Sequence, residues 1–294
     1  MPLVCPRCRA SLVASSGIGA IVCHSCGAEY STVDGVPVLV TALSAQHEHQ
    51  RGYFDAEFGA FEAYRVDNWR RSFNDRIFRA LRLDPRSGPY LDVGVGGSGA
   101  TVIEAARIGV ESTGCDLSVT GVVSAARFAR AERVSDLAAF VVCAAEALPF
   151  PDGSFGAASA VAVLEHLDDD EPAVRELARV VRPGGRVWVT VPHAYRLMPP
   201  FVWPAYFVHD RRIGHKRHYD TPRLRTLFSR HGLELIEAQY TGHPVKIAQY
   251  ATTLLAGRAR IDWSRLWWRL ERADLRAVRR PFWALQLSGL FARL

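Results

Sequence analysis

The feature of this sequence that most constrains its fold is a glycine-rich turn at the end of an apolar run. Residues 90–99 read YLDVGVGGSG, so a short strand leads into four glycines within six residues. Glycines let the backbone turn sharply and let a ligand approach the chain without meeting a Cβ. A turn of this kind predicts a strand-to-helix junction that contacts a nucleotide-like ligand.

From Tyr90 onward, short apolar runs alternate with helical segments. The β-rich runs are YLDVGV, VESTGC, AAFVVC, AASAVAVL and RVWVTVP, and helices are expected near 99–108, 118–133 and 170–181. Repeated strand–helix units with short connections predict an α/β fold, with a doubly wound parallel sheet between two layers of helices. A further helix, with Thr221 as its N-cap, should precede the strand LELIEAQY.

An acidic residue follows the glycine turn at the distance expected for ribose binding. Asp116, in TGCDLS, lies 24 residues after Asp92 and would end the next strand. A carboxylate at that position can bind the ribose hydroxyls of a nucleotide-like ligand. The glycine turn and the acidic residue also suit a nicotinamide cofactor. These two features alone therefore do not decide which nucleotide-like cofactor binds.

Four ordered motifs resemble those of class I S-adenosylmethionine-dependent methyltransferases of the methyltransferase-11 and ubiquinone-biosynthesis-like type. They are the D-x-G-x-G loop at 92–96 and the segments AAEALPFPDGSF, AVAVLEHLDD and VVRPGGRVWVTVP. The resemblance spans roughly residues 50–240. It implies a Rossmann-like sheet of seven strands and S-adenosyl-L-methionine as methyl donor. It also implies a donor site formed by Asp92, Gly94, Gly96, Asp116, Leu117, Ala145 and Glu146.

The chain departs from the family pattern at two positions of the donor site. Ser98 stands where the family usually has glycine, and Ala144 stands where an acid often binds the adenine amine. The resemblance therefore shifts adenine recognition to the Ala145 backbone and to apolar packing by Leu117.

Two segments offer groups for the acceptor side of the reaction. A hydroxyl or acidic carbon must lose a proton during methylation, and histidine is the natural base near neutral pH. His166 follows the fourth strand, at the sheet edge where such folds bind ligands. GHKRHY, at 214–219 in an aromatic and Pro-rich insertion over 193–219, resembles the H-x-R-x-F/Y segment of methyltransferases of lipid and glycan pathways. The candidates are His166, His215 and Tyr219 for catalysis, and Arg217, His218 and Trp203 for substrate binding. The alternative is that this segment only holds the insertion against the domain.

Four cysteines near the N-terminus have the spacing of a metal site. They form two CxxC pairs, Cys5 with Cys8 and Cys23 with Cys26. Two thiolates on each of two tight turns suit a tetrahedral site, and Zn²⁺ is favoured over iron because nothing else indicates electron transfer. The segment resembles the zinc-ribbon-like domains that accompany some methyltransferases. We therefore expect a structural zinc site within residues 1–42.

These patterns divide the chain into four predicted regions. They are a zinc-ribbon-like module at 1–42, a helical cap at 43–84, a donor-binding methyltransferase domain at 85–257 and a basic amphipathic helical tail at 258–294.

The net charge of +6 is confined to the C-terminal tail. Residues 256–294 contain nine arginines against three acids, so the rest of the chain is neutral overall. On a helix, Trp263, Leu266, Trp267 and Leu270 would form an apolar stripe. Aromatic residues beside arginines favour an anionic membrane surface, while packing of the stripe on the domain is the alternative. With no run of about 18 apolar residues and no secretory signal, the expectation is a cytoplasmic protein with peripheral membrane association.

Together the motifs predict an enzyme that methylates oxygen or carbon of a lipid-linked, glycan or secondary-metabolite acceptor. Three alternatives remain open: an RNA or protein methyltransferase that uses the zinc ribbon for recognition, a nicotinamide-dependent oxidoreductase, and a non-catalytic binding protein with this fold. The cysteine module has only Arg7 and Arg9 as basic residues, too few for a phosphate-binding surface. No DNA partner is expected, and RNA is disfavoured.

Overall fold

The computed structural model describes residues 2–14, 20–41, 43–59, 64, 66, 68–243, 274 and 278–294. The predicted tryptophan stripe of the tail lies outside these residues. Within the described ranges, no helix is long and apolar enough to cross a membrane.

The strands and helices follow the alternation expected from the sequence. The strands are β1 (Val13–Ala14), β2 (Ala20–Val22), β3 (Glu29–Val33), β4 (Val36–Val38), β5 (Tyr90–Val93), β6 (Ser112–Asp116), β7 (Ala138–Val142), β8 (Phe155–Val161), β9 (Val181–Pro192), β10 (Leu233–Thr241) and β11 (Gln286–Arg293). The helices are α1 (Ala45–Phe58), α2 (Asn68–Leu81), α3 (Ala100–Arg107), α4 (Val119–Ala131), α5 (Glu171–Val180), α6 (Trp203–Ile213) and α7 (Thr221–Ser229). Short 3-10 turns lie at Leu164–His166, Tyr195–Leu197 and Pro200–Val202.

In the described part of the chain, the strands form one sheet of eleven, whereas the resemblance implies seven; seven of the eleven, β5 to β11, lie outside the cysteine module. Its order is β1-β2-β3-β4-β7-β6-β5-β8-β9-β11-β10. Strands β4 to β9 pair in parallel, whereas β11 runs antiparallel to both β9 and β10. The count differs because the cysteine module continues the sheet beyond β7, through the parallel pairing of Val38 with Val142.

The predicted helical cap consists of two helices with different roles. Helix α1 begins with a capping box, in which the Ser44 hydroxyl accepts a hydrogen bond from the His47 backbone N–H. Helix α2 buries Phe73, Ile77 and Leu81 at four-residue spacing against the sheet. Helix α2 therefore belongs to the hydrophobic core, whereas α1 lies against helix α4.

The sequence-based expectation of a helical tail over 258–294 is wrong for its last part. Residues 286–293 form β11, which lies between β9 and β10, so the sheet of the domain is completed at the end of the chain. Inside the sheet, the hydroxyl of Ser288 is 2.8 Å from that of Thr190. A strand between two others pairs its backbone N–H and C=O groups on both sides. It also pairs the facing edges of β9 and β10, which a surface helix would leave unpaired.

The N-cap expected at Thr221 is also corrected. Asp220 caps α7, and its carboxylate accepts a hydrogen bond of 2.9 Å from the backbone N–H of Arg223. Thr221 is the first helical residue, and its hydroxyl instead lies 2.6 Å from the hydroxyl of Tyr240.

Candidate functional site

The glycine turn lies at the carboxyl end of β5, where the chain enters α3. Gly94 has a φ of +76°, and a Cβ there would lie 2.3 Å from Cγ2 of Val163. Only glycine fits this combination of left-handed backbone and close approach. The backbone N–H groups of Gly94 and Val95 both donate to the Cys115 carbonyl, which fixes the turn against β6.

Asp92 supports the turn from within the core. Its side chain is buried and accepts a hydrogen bond from the Ser159 hydroxyl, which is in turn 2.5 Å from the hydroxyl of Tyr90. Burial raises the pKa of Asp92 to about 6, because a dry environment disfavours the charged carboxylate.

Asp116 occupies the end of β6 and faces the same turn. Its two carboxylate oxygens accept hydrogen bonds of 3.0 Å from the backbone N–H groups of Gly96 and Ser118. Burial raises the pKa of Asp116, and these backbone donors oppose that effect. The carboxylate is thereby held in a fixed orientation beside the glycine turn.

The structure brings all seven predicted donor-site residues to one cavity of about 390 Å³. Its volume is in the range of small-molecule sites. Ser98 and Ala144, the two departures from the family pattern, also line it. We call it the donor cavity.

Helix α1 covers the donor cavity with two polar and two aromatic side chains. His47 and Gln50 line the cavity together with the aromatic rings of Phe54 and Phe58. Nε2 of His47 lies 2.9 Å from Oε1 of Glu146, which links the cover to the predicted adenine end. The sequence of α1 predicts a helix, but it does not indicate which face of that helix lies over the cavity.

A second cavity, of about 430 Å³, adjoins the first, and we call it the acceptor cavity. The two share five lining residues, Phe54, Val161, Ala162, His166 and Gln286. The remaining wall combines aromatic and aliphatic side chains with ionisable ones, namely Tyr53, Glu57, Glu165, Thr190, Val191, Pro192, Tyr206, His209, Arg212, Ile213 and His215.

His166 lies on the wall between the two cavities. Burial and the neighbouring His215 lower the pKa of His166 to about 3, so the ring is neutral at physiological pH. Its Nδ1 has no hydrogen-bond partner among the described residues. The preceding residue, Glu165, is 1% exposed, and burial raises its pKa to about 8.

His215 lies in the acceptor cavity and is held by an acid that the sequence analysis missed. Nδ1 of His215 is 2.7 Å from Oδ1 of Asp210, and its Nε2 is 3.9 Å from Oε1 of Glu165. Asp210 also contacts His218 and Tyr195, at 2.6 and 2.5 Å from Oδ2. Burial opposes the charge of Asp210, but these hydrogen bonds hold its pKa well below the usual range.

Tyr219, predicted as a catalytic residue, is not among the side chains that line the two cavities. The side chain is fully buried, and its hydroxyl donates a hydrogen bond of 2.6 Å to Asp170. The cause is the isolated parallel bridge between Tyr219 and His193, which directs this residue into the core.

The three predicted substrate-binding residues also lie outside both cavity walls. Arg217 pairs with Asp170 at 3.1 Å and donates to the carbonyl of Asp168. His218 contacts Asp210, and Trp203 packs its ring edge against Tyr195 while remaining 40% exposed. The contacts of Arg217 with Asp170 and Asp168 agree with the alternative interpretation, in which the segment holds the insertion against the domain.

The four N-terminal cysteines converge at the tip of the module, as their spacing predicts. Their sulfur atoms all lie within 4.8 Å of one another, with Cys5 to Cys26 at 3.7 Å and Cys8 to Cys23 at 3.5 Å. A tetrahedral ion with metal–sulfur bonds of about 2.3 Å places its sulfurs about 3.8 Å apart. The arrangement therefore fits a zinc ion. The hydroxyl of Tyr30 lies 3.1 Å from Sγ of Cys5, as a donor to a ligating thiolate would.

Comparison with known proteins agrees with this geometry. Residues 91–189 match the family described as "Methyltransferase domain". The chain is 34% identical over 131 residues to norajmaline N-methyltransferase of Rauvolfia serpentina, covering 42% of this chain and 44% of that protein. It is 32% identical over 155 residues to 27-O-demethylrifamycin SV methyltransferase of Amycolatopsis mediterranei (strain S699), covering 52% and 54% respectively. The chain thus spans about half the length of the curated relatives it matches.

The fold is similar to that of a solved methyltransferase over most of both chains. Geranyl diphosphate C-methyltransferase from Streptomyces coelicolor A3(2), in complex with Mg²⁺, geranyl diphosphate and S-adenosyl-L-homocysteine, superposes with a TM-score of 0.63. The match covers 86% of this chain and 100% of the other, at 16% identity. The chain therefore has a Rossmann-like α/β fold similar to that of this methyltransferase. Within it, residues 91–189 are the part that matches the methyltransferase family.

Proposed function

We propose that this protein transfers the methyl group of S-adenosyl-L-methionine to oxygen, nitrogen or carbon of a small-molecule acceptor. The observation that carries this proposal is the wall shared by the donor and acceptor cavities. Methyl transfer from a sulfonium needs a nucleophile held in line with the breaking bond, and orientation alone supplies on the order of 7–11 kcal/mol in ideal cases. Two cavities that share lining residues would place the donor and the acceptor next to each other.

The residues of the donor cavity suit the parts of the donor. Asp116 is oriented by two backbone N–H groups and is assigned to the ribose hydroxyls. Gly94 and Gly96 allow the methionine portion to approach the backbone, and Asp92 supports the turn from beneath. Leu117, Ala145 and Glu146 are assigned to the adenine end.

The size and composition of the acceptor cavity favour a small molecule over a macromolecule. A volume of about 430 Å³ suits a compact organic acceptor or the reactive end of a lipid-linked or glycan molecule. The RNA or protein alternative loses support in the cysteine module, because Arg9 is committed to Glu176 at 2.7 Å and to the carbonyl of Leu148. The finer proposal is therefore a secondary-metabolite, lipid-linked or glycan acceptor.

The candidates for removing a proton from the acceptor are Glu165, His166 and His215, which lie together at the cavity. His166, with a pKa of about 3, is too weak a base to hold a proton at neutral pH. Its place on the shared wall suits contact with both reactants instead. His215 is the better candidate for the base.

A labelled-methyl assay with a cavity-filling variant tests the proposal. Ile213→Trp places a large ring on the wall of the acceptor cavity, whereas Val208→Trp changes the exposed surface of the same helix. In a screen of small-molecule extracts, the wild type and Val208→Trp should transfer label, and Ile213→Trp should lose most of it while still binding S-adenosylhomocysteine. Transfer at the wild-type rate by Ile213→Trp would place the acceptor elsewhere, and no transfer by any form would favour the non-catalytic alternative.

We further propose that Cys5, Cys8, Cys23 and Cys26 hold one structural Zn²⁺. Four thiolates fill the coordination shell of the ion, so it would stabilise the module without taking part in transfer. Metal analysis of the full chain should give one zinc per chain, and Cys23→Ser should lose it together with several degrees of melting temperature. Cys143→Ser, outside the cluster, should retain the metal. A folded wild type without metal would rule out the site.

A peripheral contact with anionic membrane is proposed for the surface beside the acceptor cavity. Phe201, in the turn before helix α6, and Phe207 and Val208, within α6, each expose more than half of their surface, and Arg211 lies in the last turn of that helix. Exposed aromatic residues next to arginine are suited to the headgroup region of a bilayer. An acceptor carried by a lipid would then meet the cavity at the membrane.

A further inference from the structure

Asp210 is a buried carboxylate on which three hydrogen bonds converge. It is 7% exposed, and its oxygens contact Nδ1 of His215, Nε2 of His218 and the Tyr195 hydroxyl. Its own backbone carbonyl accepts hydrogen bonds of 2.9 Å from the N–H groups of Gly214 and His215. The carboxylate is therefore rigidly placed relative to His215 at both the side-chain and the backbone level.

The protonation of His218 follows from its two partners. Its Nδ1 lies 2.7 Å from the carbonyl oxygen of His193, and its Nε2 lies 2.6 Å from the carboxylate of Asp210. A carbonyl and an ionised carboxylate both only accept hydrogen bonds, so both ring nitrogens must donate. Both ring nitrogens of His218 are therefore placed as donors, one of them to the carboxylate of Asp210.

The same reasoning fixes the tautomer of His215. Because Asp210 accepts at Oδ1, the proton of a neutral His215 ring resides on Nδ1, and Nε2 carries the free lone pair. The ring lines the acceptor cavity, and the groups that face it are Glu165 and His166 from the turn after β8, together with His209, Asp210 and His218. Nε2 is the ring atom directed towards Glu165 at 3.9 Å, on the cavity side.

We propose that Asp210 is a positioning residue that holds His215 as the Nδ1–H tautomer, so that Nε2 takes the proton of the acceptor. The inference rests on the proposed function. As the acceptor atom forms its bond to the methyl carbon, the carbon–sulfur bond breaks and its electron pair stays on sulfur. The proton of the acceptor moves to Nε2, giving S-adenosylhomocysteine, the methylated acceptor and an imidazolium on His215. Asp210 stabilises that imidazolium, and the proton later passes to solvent.

Nitrogen NMR of isotope-labelled histidine rings tests the inference without the natural acceptor. Spectra of the full chain bound to S-adenosylhomocysteine, with His215 and His218 identified from His215→Gln and His218→Gln, should show two patterns at neutral pH. His215 should be neutral with its proton on Nδ1, and His218 should carry two protons. In Asp210→Asn, whose side-chain amide also offers a donor, His218 should lose one proton at neutral pH, and His215 should change from the Nδ1–H form to a mixture of both tautomers. Asp136→Asn, on the exposed surface, should change neither ring.

The contrary results are equally definite. A wild-type His215 with its proton on Nε2, or a neutral His218, would overturn the inference. This measurement uses the wild-type protein, so it does not depend on whether a variant folds. An unchanged His215 tautomer in Asp210→Asn would reduce Asp210 to a purely structural role and would also overturn the inference. Calorimetry with S-adenosylhomocysteine on the same samples separates the two levels. Binding with the wrong tautomer refutes this inference alone, whereas absence of binding refutes the proposed function.

Discussion

At the scale of single residues, the ligand edge of the sheet collects buried ionisable side chains with unequal hydrogen bonding. Asp210 has three side-chain donors, whereas Oε2 of Glu165 and Nδ1 of His166 have no partner among the described residues. An unsatisfied buried polar atom costs about 1–3 kcal/mol. The two unsatisfied atoms belong to residues that line the acceptor cavity, where a bound molecule would supply the missing partner.

Gly94→Ala tests the close packing of the glycine turn. An added Cβ would lie 2.3 Å from Val163 and would adopt a left-handed φ, so we expect a loss of about 2–4 kcal/mol in the free energy of unfolding and much weaker donor binding. Gly184→Ala is the matched control, since Gly184 has the same φ of +76° but open space around its Cα. It should lose only about 1 kcal/mol in urea unfolding. Equal losses in the two variants would show that backbone strain alone accounts for the effect.

At the scale of elements, helix α6 separates the acceptor cavity from the exposed aromatic surface. Tyr206, His209 and Ile213 line the cavity, while Phe207 and Val208 point to solvent. The motif GHKRHY predicts functional residues after this helix, whereas Asp210 lies within the helix itself. The turn at Gly214, with a φ of +77°, brings His215 back onto Asp210. Such a contact depends on the backbone of the turn, which periodicity does not encode.

Vesicle flotation tests the membrane contact proposed for this helix. The full chain should float with anionic vesicles at low salt, and the variant Phe207→Ser with Val208→Ser should float several-fold less, because apolar burial and charge both contribute to interfacial binding. Glu234→Ser with Glu237→Ser, on β10, provides a control away from α6. Removal of residues 258–294 is unsuitable as a test, since it would delete β11 from the sheet. Equal flotation of all forms, or none, would contradict the proposal.

At the scale of the whole molecule, local patterns predicted the alternating strands and helices of the sheet core, and they selected residues that lie at one cavity. The strands and helices from β5 to β9 are short, contiguous repeats, and the donor residues lie at the ends of adjacent parallel strands. Strand β11 could not be placed in this way, because its partners β9 and β10 are far away in sequence and its apolar run QLSGLFAR follows a basic segment. The extension of the sheet by the cysteine module was missed for the same reason.

The catalytic candidates show the same limit. His166 and His215 reach the cavities because each follows a strand or helix end, whereas Tyr219 is turned into the core by pairing with His193. Proximity along the chain therefore selected a segment that reaches the cavity, but not which of its side chains line it.

The account as a whole depends on donor binding beside Asp116, and calorimetry with S-adenosylhomocysteine tests it most directly. Loss of a charged hydrogen-bonding partner costs about 1.5–3 kcal/mol, which corresponds to roughly 10- to 150-fold weaker binding. The wild type and Asp136→Asn should bind one ligand per chain with equal affinity, and Asp116→Asn should bind it more weakly by that factor. No binding to the wild type, or equal binding by Asp116→Asn, would contradict the account.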